Sequence, residues 1–312
     1  MTTTTSSTPT TSRPPTHGGS RPSGLTRLRA IGPTDRDVAA RILFEAFAGI
    51  HDRHAFPRDF PTREAATELV DTFIANPGIW GVVAERDGRV VGSNFLDERG
   101  SVTGVGPITV DPTVQGDGVG RQLMEAVMDR AAGRAGIRLL QDAFNTQSLA
   151  LYASLGFEVE ESLVVMGGRP RTGPVPGVQV RPLTHDDLPR CEDLCRSVHG
   201  FDRSTELRDA LGAPGLRPYI AIRSGRIVAY ATTLTHFPAA YAVAETQDDM
   251  SALIAGALAD TEAPASFLLP TRQHELLRWC LGSGLRIVKP MTYMVIGEHR
   301  HPTGAWIPSV LY

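Results

Sequence analysis

Between Val105 and Arg121 the chain reads Val-Gly-Pro-Ile-Thr-Val-Asp-Pro-Thr-Val-Gln-Gly-Asp-Gly-Val-Gly-Arg. An apolar strand is stopped by Asp111-Pro112, and a glycine-rich turn then opens a helix. Glycine lets successive backbone N–H groups converge, and a helix N-terminus adds partial positive charge. Together they form a site for a pyrophosphate, to which Arg121 adds a charge-assisted contact. Two common phosphate loops are excluded. No Gly-Lys-Ser/Thr follows, as a Walker loop requires, and Gly116-x-Gly118-x-Gly120 is not the G-x-G-x-x-G spacing of dinucleotide folds. Residues 51–61 hold a second concentration of reactive types, including His51, Asp52, His54 and Asp59. His51-x-x-His54 resembles half a zinc site, but two ligands do not make one, and no metal is expected.

The elements that must carry these residues alternate regularly over 25–168. Leu25–Ile31 reads as a strand, Thr34 caps a helix, and Thr62 opens a second helix. Ile79–Glu85 and Arg89–Asp97 form a hairpin about Asp87-Gly88. Val102–Val110 reads as one further strand, Val119–Arg134 as a helix, Ile137–Phe144 as a strand, Ser148–Leu155 as a helix and Phe157–Met166 as the last strand. The proline-rich stretch 169–177 is a short stiff linker. The second half repeats the order: strand 178–182, a helix capped by Thr184, a hairpin about Ser224-Gly225, then further strands and helices to 296. Asn145–Gly156 ends Ala-Ser-Leu-Gly and Thr271–Gly282 ends Trp-Cys-Leu-Gly, each before a strand. Two copies of one fold is the economical reading.

Gln115-x-x-Gly118-x-Gly120 after an apolar strand resembles the acyl-CoA-binding motif of GCN5-related N-acetyltransferases, the GNAT family. Asn145 at a strand end, Tyr152 seven residues on, and Leu155-Gly156-Phe157 resemble that family's next motif. The resemblance implies an α/β class with an α+β mixed, largely antiparallel sheet flanked by helices and a splayed central strand pair. It also implies tandem GNAT folds: catalytic 25–168, linker 169–177 and degenerate 178–312. The implied activity is an acetyl-CoA-dependent N-acetyltransferase (EC 2.3.1.-) acting on a small-molecule amine by direct attack on the thioester. In that family's chemistry, main-chain groups of Ile108, Thr109 and Val110 meet the pantetheine. Gln115, Gly116, Asp117, Gly118, Val119, Gly120 and Arg121 hold the pyrophosphate, and Asn145 bonds the pantetheine. Tyr152 protonates the leaving thiolate, since a phenol keeps its proton at neutral pH. Many members carry a glutamate on the strand before the loop, whereas Gly104-Val105-Gly106 stands here. Candidate bases are therefore His51, His54, Asp97, Glu98, Asp142 and, from the docked chain end, Tyr312; His54 and Tyr312 are taken with Tyr152 as the catalytic set.

In the second half, Ala244-Glu-Thr-Gln-Asp-Asp-Met replaces the glycine loop, and Arg278 stands where Tyr152 aligns. Three acids repel a pyrophosphate, so this half is expected to be structural. Two readings stay open beside the transferase: a non-catalytic acyl-CoA-binding or sensor protein, and an enzyme using a longer acyl-CoA. Composition frames all three. The 312 residues are 41% hydrophobic and 21% charged with net charge -3, which fits a globular protein and excludes a basic nucleic-acid face. No apolar run reaches the roughly 18–20 residues of a membrane span. Residues 1–24, rich in Thr, Ser and Pro, are expected to be disordered and are no secretory signal. Cys191, Cys195 and Cys280 suit a reducing, cytoplasmic setting, with 191 and 195 as buried small apolar residues. Residues 25–168 hold 14 Arg against 20 acids and 178–312 hold 13 Lys or Arg against 14, so the acid excess favours a cationic acceptor. A homodimer is left open. Lys289 is the only lysine, read as codon bias toward arginine.

Overall fold

The computed structural model describes residues 25–311; the tail 1–24 and Tyr312 lie outside them. The first half runs β1 (Arg27–Ala30), a 3-10 turn (Pro33–Asp35), α1 (Arg36–His54), α2 (Arg63–Ala75), β2 (Ile79–Arg86) and β3 (Arg89–Asp97). It continues β4 (Val102–Val105), β5 (Thr109–Val110), α3 (Val119–Arg130), β6 (Gly136–Asp142), α4 (Thr146–Ser154) and β7 (Glu158–Gly168). The order then returns: β8 (Val178–Pro182), a 3-10 turn (His185–Asp187), α5 (Leu188–His199), α6 (Ser204–Gly212), β9 (Tyr219–Arg223), β10 (Arg226–Ala231) and β11 (Ala242–Ala244). It closes with α7 (Gln247–Ala259), β12 (Ala265–Pro270), α8 (His274–Gly282), β13 (Arg286–Gly297) and an added strand, β14 (Ala305–Ile307). No helix among the described residues is long and apolar enough to cross a membrane.

The repeat extends to side chains. Arg29 donates to both oxygens of Asp35 at 2.7 and 2.8 Å, and Asp35 accepts from the Gly32 N–H at 2.9 Å. Arg181, Asp187 and Thr184 reproduce the device at 2.8, 2.8 and 2.9 Å. Each carboxylate ties the first strand to the turn that starts the first helix, and the Arg181 hydrogen bonds draw Asp187 down to about 2. Both hairpins turn as their sequences require, with positive φ at Asp87 and Gly88 and at Ser224 and Gly225. Thr62 caps α2 by accepting from the Ala65 N–H.

Three elements depart from the sequence reading. Val102–Val110 is two strands, because Pro107 has no N–H with which to continue a ladder. β4 runs parallel to β6 from Val102↔Gly136 to Val105↔Leu139, after which β5 pairs with β3 alone. The two strands part there, and the end of β6 (Leu140–Asp142) faces a gap. The helix expected to reach Arg134 stops at Arg130. Helix α6 has no counterpart in the sequence reading, since its apolar stripe is short, with Leu207 and Ala210 buried.

The sheets join the halves. A nine-stranded sheet has the order β1-β2-β3-β4-β6-β13-β7-β12, with β5 beside β3; a five-stranded sheet has the order β14-β11-β10-β9-β8. Strand β13, from the second half, lies between β6 and β7 of the first, with Met291 opposite Asp142 on one side and Leu163 on the other. Strand β12 then pairs with β7. Along β13, Met291, Tyr293, Met294 and Val295 are buried. Each such side chain contributes roughly 1.5–3 kcal/mol on burial, so withdrawing the strand forfeits several of these terms and two hydrogen-bonded edges.

Cleavage of the exposed segment 171–174 should therefore leave both fragments in one particle. Size-exclusion chromatography of the nicked protein under native conditions should show a single unchanged peak. Residues 25–168 made alone should lack a cooperative melt by circular dichroism, since β6 and β7 lose the strand between them.

Candidate active site

A cavity of about 430 Å³ occupies the gap left where β5 turns away from β6, and it extends from the glycine loop to α1. Its outer end is the N-terminus of α3. Gly116 (φ 92°) and Gly118 (φ 83°) adopt the left-handed conformation, and a Cβ at either would meet nothing within 4 Å, so conformation rather than space demands glycine there. Gly118 caps α3 without a side chain, and the first return hydrogen bond goes from the Gln122 N–H to the Gly118 carbonyl at 3.2 Å. The amides ahead of Gln122 therefore point out of the helix end, where an anion is favoured. Gln115 braces the loop by donating to the Val110 carbonyl at 3.1 Å. Arg86 braces it from outside through the Asp117 carboxylate (2.9 Å) and carbonyl (3.1 Å).

The expected site residues divide by position. Ile108, Thr109, Val110, Gln115, Gly116, Gly118, Gly120, Arg121, Asn145 and Tyr152 all line the cavity. Asp117 faces solvent against Arg86, and the Val119 side chain is buried in the core. The Thr109 hydroxyl turns inward to Ser93 at 3.2 Å, and Arg121 donates to the Ser154 hydroxyl at 2.6 Å. Asn145 accepts from the Ser148 N–H at 3.2 Å and so caps α4. Tyr152 is buried; desolvation, with a smaller push from the Asp142 charge, raises its hydroxyl to about 12, while Ser148 opposes the rise. Its proton is thus retained throughout the neutral range. His54 is exposed, stands outside the cavity wall and tilts against the Phe144 ring; Tyr312 is outside the described residues.

His51, one helical turn earlier, is fully buried and anchors a cluster drawn from four places. The Lys289 ammonium, on β13, lies 2.6 Å from Asp59 Oδ1, 2.6 Å from Asp142 Oδ1 and 3.1 Å from His51 Nε2. His51 Nδ1 donates to the Phe47 carbonyl at 2.8 Å, while Nε2 faces both Asp59 and Asp142 at 3.4 Å; burial lowers the imidazole, but the Asp59 contact and charge raise it overall. A planar guanidinium does not reproduce this compact ammonium, so the single lysine occupies a position that arginine does not fill in the same way. His51, Asp59 and Asp142 are spaced as metal ligands, and the ammonium already stands among them. Burial raises Asp142, with Asp59 adding to the rise and Lys289 opposing it; burial also resists the charge on Asp59, but His51 and Lys289 overcome it and hold Asp59 low. Asp59 and Asp142 line the cavity. So does Gln141, whose buried side-chain amide has no protein partner, an orphan that a ligand would satisfy.

The second half supplies part of the wall: Phe237, Pro238, Met291 and Val310. It also explains Gly104, which stands where the family resemblance leads one to look for a carboxylate. A Cβ there would lie 1.9 Å from the Leu311 carbonyl oxygen, so the end of the chain occupies that space. In the second half, the counterpart of the cavity is closed. Strand β14 pairs with β11 through Ala242↔Ile307 to Ala244↔Ala305 and lies against β12. Gln273 grips it from the other side, donating to the Trp306 carbonyl (2.8 Å) and accepting from its N–H (3.0 Å). Helix α7 is capped by Thr246, which accepts from the Asp249 N–H. Cys191, Cys195 and Cys280 are free and buried.

Residues 77–159 match the model of the acetyltransferase (GNAT) domain. Over 88 residues the chain is 36% identical to an IAA acetyltransferase of Azospirillum brasilense, covering 27% of this chain and 58% of that protein. Over 140 residues it is 31% identical to a mycothiol acetyltransferase of Beutenbergia cavernae, covering 43% and 46%. The chain thus spans about half the length of these curated relatives. A tandem GNAT protein from the clavulanic acid biosynthesis pathway superposes with a TM-score of 0.58 at 14% identity, covering 91% of this chain and all of that one, which shows the shared fold.

Gly104→Ala should expel the chain end, because a methyl group cannot share space with the Leu311 main chain. The expected result is a lower melting temperature together with rapid carboxypeptidase trimming of residues that the parent protein protects. An unchanged melt and digestion rate would contradict the contact.

Proposed function

We propose that the chain is a GNAT acetyltransferase, on the match of residues 77–159 to that domain, and that its first half moves an acetyl group from acetyl-CoA to a small amine. One observation carries the reading: a strand gap runs continuously from an uncapped helix N-terminus to a buried tyrosine. The α3 amides and Arg121 suit the pyrophosphate, the freed edges of β5 and β6 suit the amide-bearing pantetheine, and Gln141 and Asn145 offer polar contacts along it. Amide donors near Ile108 and Val110 are placed to stabilise negative charge on the thioester oxygen. Tyr152, holding its proton at neutral pH, is placed to give it to the departing sulfur.

The acceptor enters from the side bounded by α1 and the second half. Asp59 and Asp142 make that end acidic, while Phe47, Phe60, Phe237 and Met291 make it apolar. This combination favours an amine borne on an apolar body. In this reading the second half carries no acyl-CoA, since β14 fills its cleft and Thr246 and Asp249 satisfy its helix end. It acts instead as a wall of the first site.

Calorimetry should give one acetyl-CoA per chain. Tyr152→Phe should lower kcat by about 10²-fold or more, in line with loss of a general acid, while acetyl-CoA affinity changes little. The assay is thiol release against a mixed amine library, with mass analysis of the product. Binding without thiol release for any amine would favour a non-catalytic acyl-CoA sensor, and release only with longer acyl donors would change the donor.

A further inference from the structure

Gly104 leaves the site without a carboxylate on β4, yet an amine that arrives protonated must lose a proton before it can attack. Glu45, Asp59 and Asp142 are carboxylates that line the cavity, and Asp142 is the one whose charge acts on the Tyr152 hydroxyl. It ends β6 directly after Gln141 and lines the cavity with it. It is 8% exposed, so an ion there costs desolvation, and its environment differs from that of its neighbour Asp59. Carboxylates whose surroundings separate them in this way take different roles, one remaining ionised as a fixed charge and the other exchanging a proton. The charged and titratable groups facing Asp142 are Lys289 from β13, His51 from α1, Asp59 from the following loop and Tyr152 from α4.

Resting on the transferase reading, we propose that Asp142 is the general base and that Lys289, reaching across from the second half, is its positioning residue. The acceptor ammonium gives one proton to the Asp142 carboxylate. The freed nitrogen pair forms the C–N bond to the thioester carbon, and the C–S bond breaks with its electron pair leaving on sulfur. Tyr152 protonates the thiolate, and the second proton lost by the nitrogen restores the phenol. Lys289 holds Asp142 Oδ1 at 2.6 Å, and Oδ2 lies 3.4 Å from His51 Nε2, so the carboxylate is fixed where it borders the cavity, and the ammonium charge opposes the rise that burial imposes on it. Asp59 Oδ1 at 2.6 Å and His51 Nε2 at 3.1 Å stand beside the ammonium and fix its position.

The test is the pH dependence of kcat/KM for thiol release, with acetyl-CoA affinity and melting temperature measured alongside. Asp142→Asn should lower kcat by about 10²-fold or more with acetyl-CoA affinity unchanged within about twofold, as for a lost general base, and Asp142→Glu should recover part of the loss. In the parent protein, activity should fall as pH drops through a pKa above the ordinary carboxylate value. Lys289→Met removes a cation and should move that acid limb upward by about one pH unit or more, whereas Asp59→Asn removes an anion and should move it down. If Lys289→Met does not fold, the downward shift in Asp59→Asn still decides the electrostatic claim. Asp142→Asn within threefold of the parent overturns the base assignment. An acid limb that stays in place in folded Lys289→Met or Asp59→Asn overturns the positioning role. A parent chain that releases no thiol from any amine overturns both this inference and the transferase reading beneath it.

Discussion

Strand β13 is hydrogen-bonded to β6 along one edge and to β7 along the other, and nearly everything specific to this molecule follows from that insertion. Without it, β6 and β7 of the first half lack the strand that lies between them, and β13 has no paired edge. With it, one sheet runs through both halves, and register places Lys289 and Met291 beside the end of β6. A sheet register is specified to the residue because a slip of one turns every side chain to the opposite face. The ammonium can therefore reach Asp142 at hydrogen-bond distance although 147 positions separate them in the chain.

The same element order ends differently in the two halves, and the difference is electrostatic and steric. Helix α3 begins at a left-handed glycine with no side chain to satisfy its amides; α7 begins at Thr246, whose hydroxyl accepts from Asp249, with acids in its first turn. The gap beside β5 is an open cavity; the gap beside β11 holds β14, clamped by Gln273. Beyond β14 the chain crosses to the first half, where Val310 borders the cavity and Leu311 covers Gly104. One segment thus closes one cleft and walls the other.

Local physical chemistry explains which parts were legible in the sequence. Asp87-Gly88, Ser224-Gly225, the Thr62 cap and the Gly116–Gly118 turn each depend on a few adjacent residues, so their types announce them. The break at Pro107 is not legible in the sequence, because Val102–Val110 carries β-branched residues on both sides of it and its pattern does not reveal where a partner strand departs. His54 and His51 are equal on paper; the helix turns one to solvent and the other against Phe47, Asp59 and Lys289. A buried His at one helical turn from an exposed one is visible only once the facing elements are known.

The sequence by itself determined most of the element order, the repeat of that order, the glycine turn that opens α3 and the tyrosine helix that follows it, because all of these arise from interactions within a few residues. The tertiary structure decided what those elements enclose. It chose His51 over His54, turned a solitary lysine into the centre of a buried charge cluster, and gave the second half the tasks of plugging its own cleft and completing its neighbour's. Those outcomes depend on strand register and on contacts between residues more than a hundred positions apart. Low dielectric amplifies such charge contacts once they form, and nothing in local composition records them.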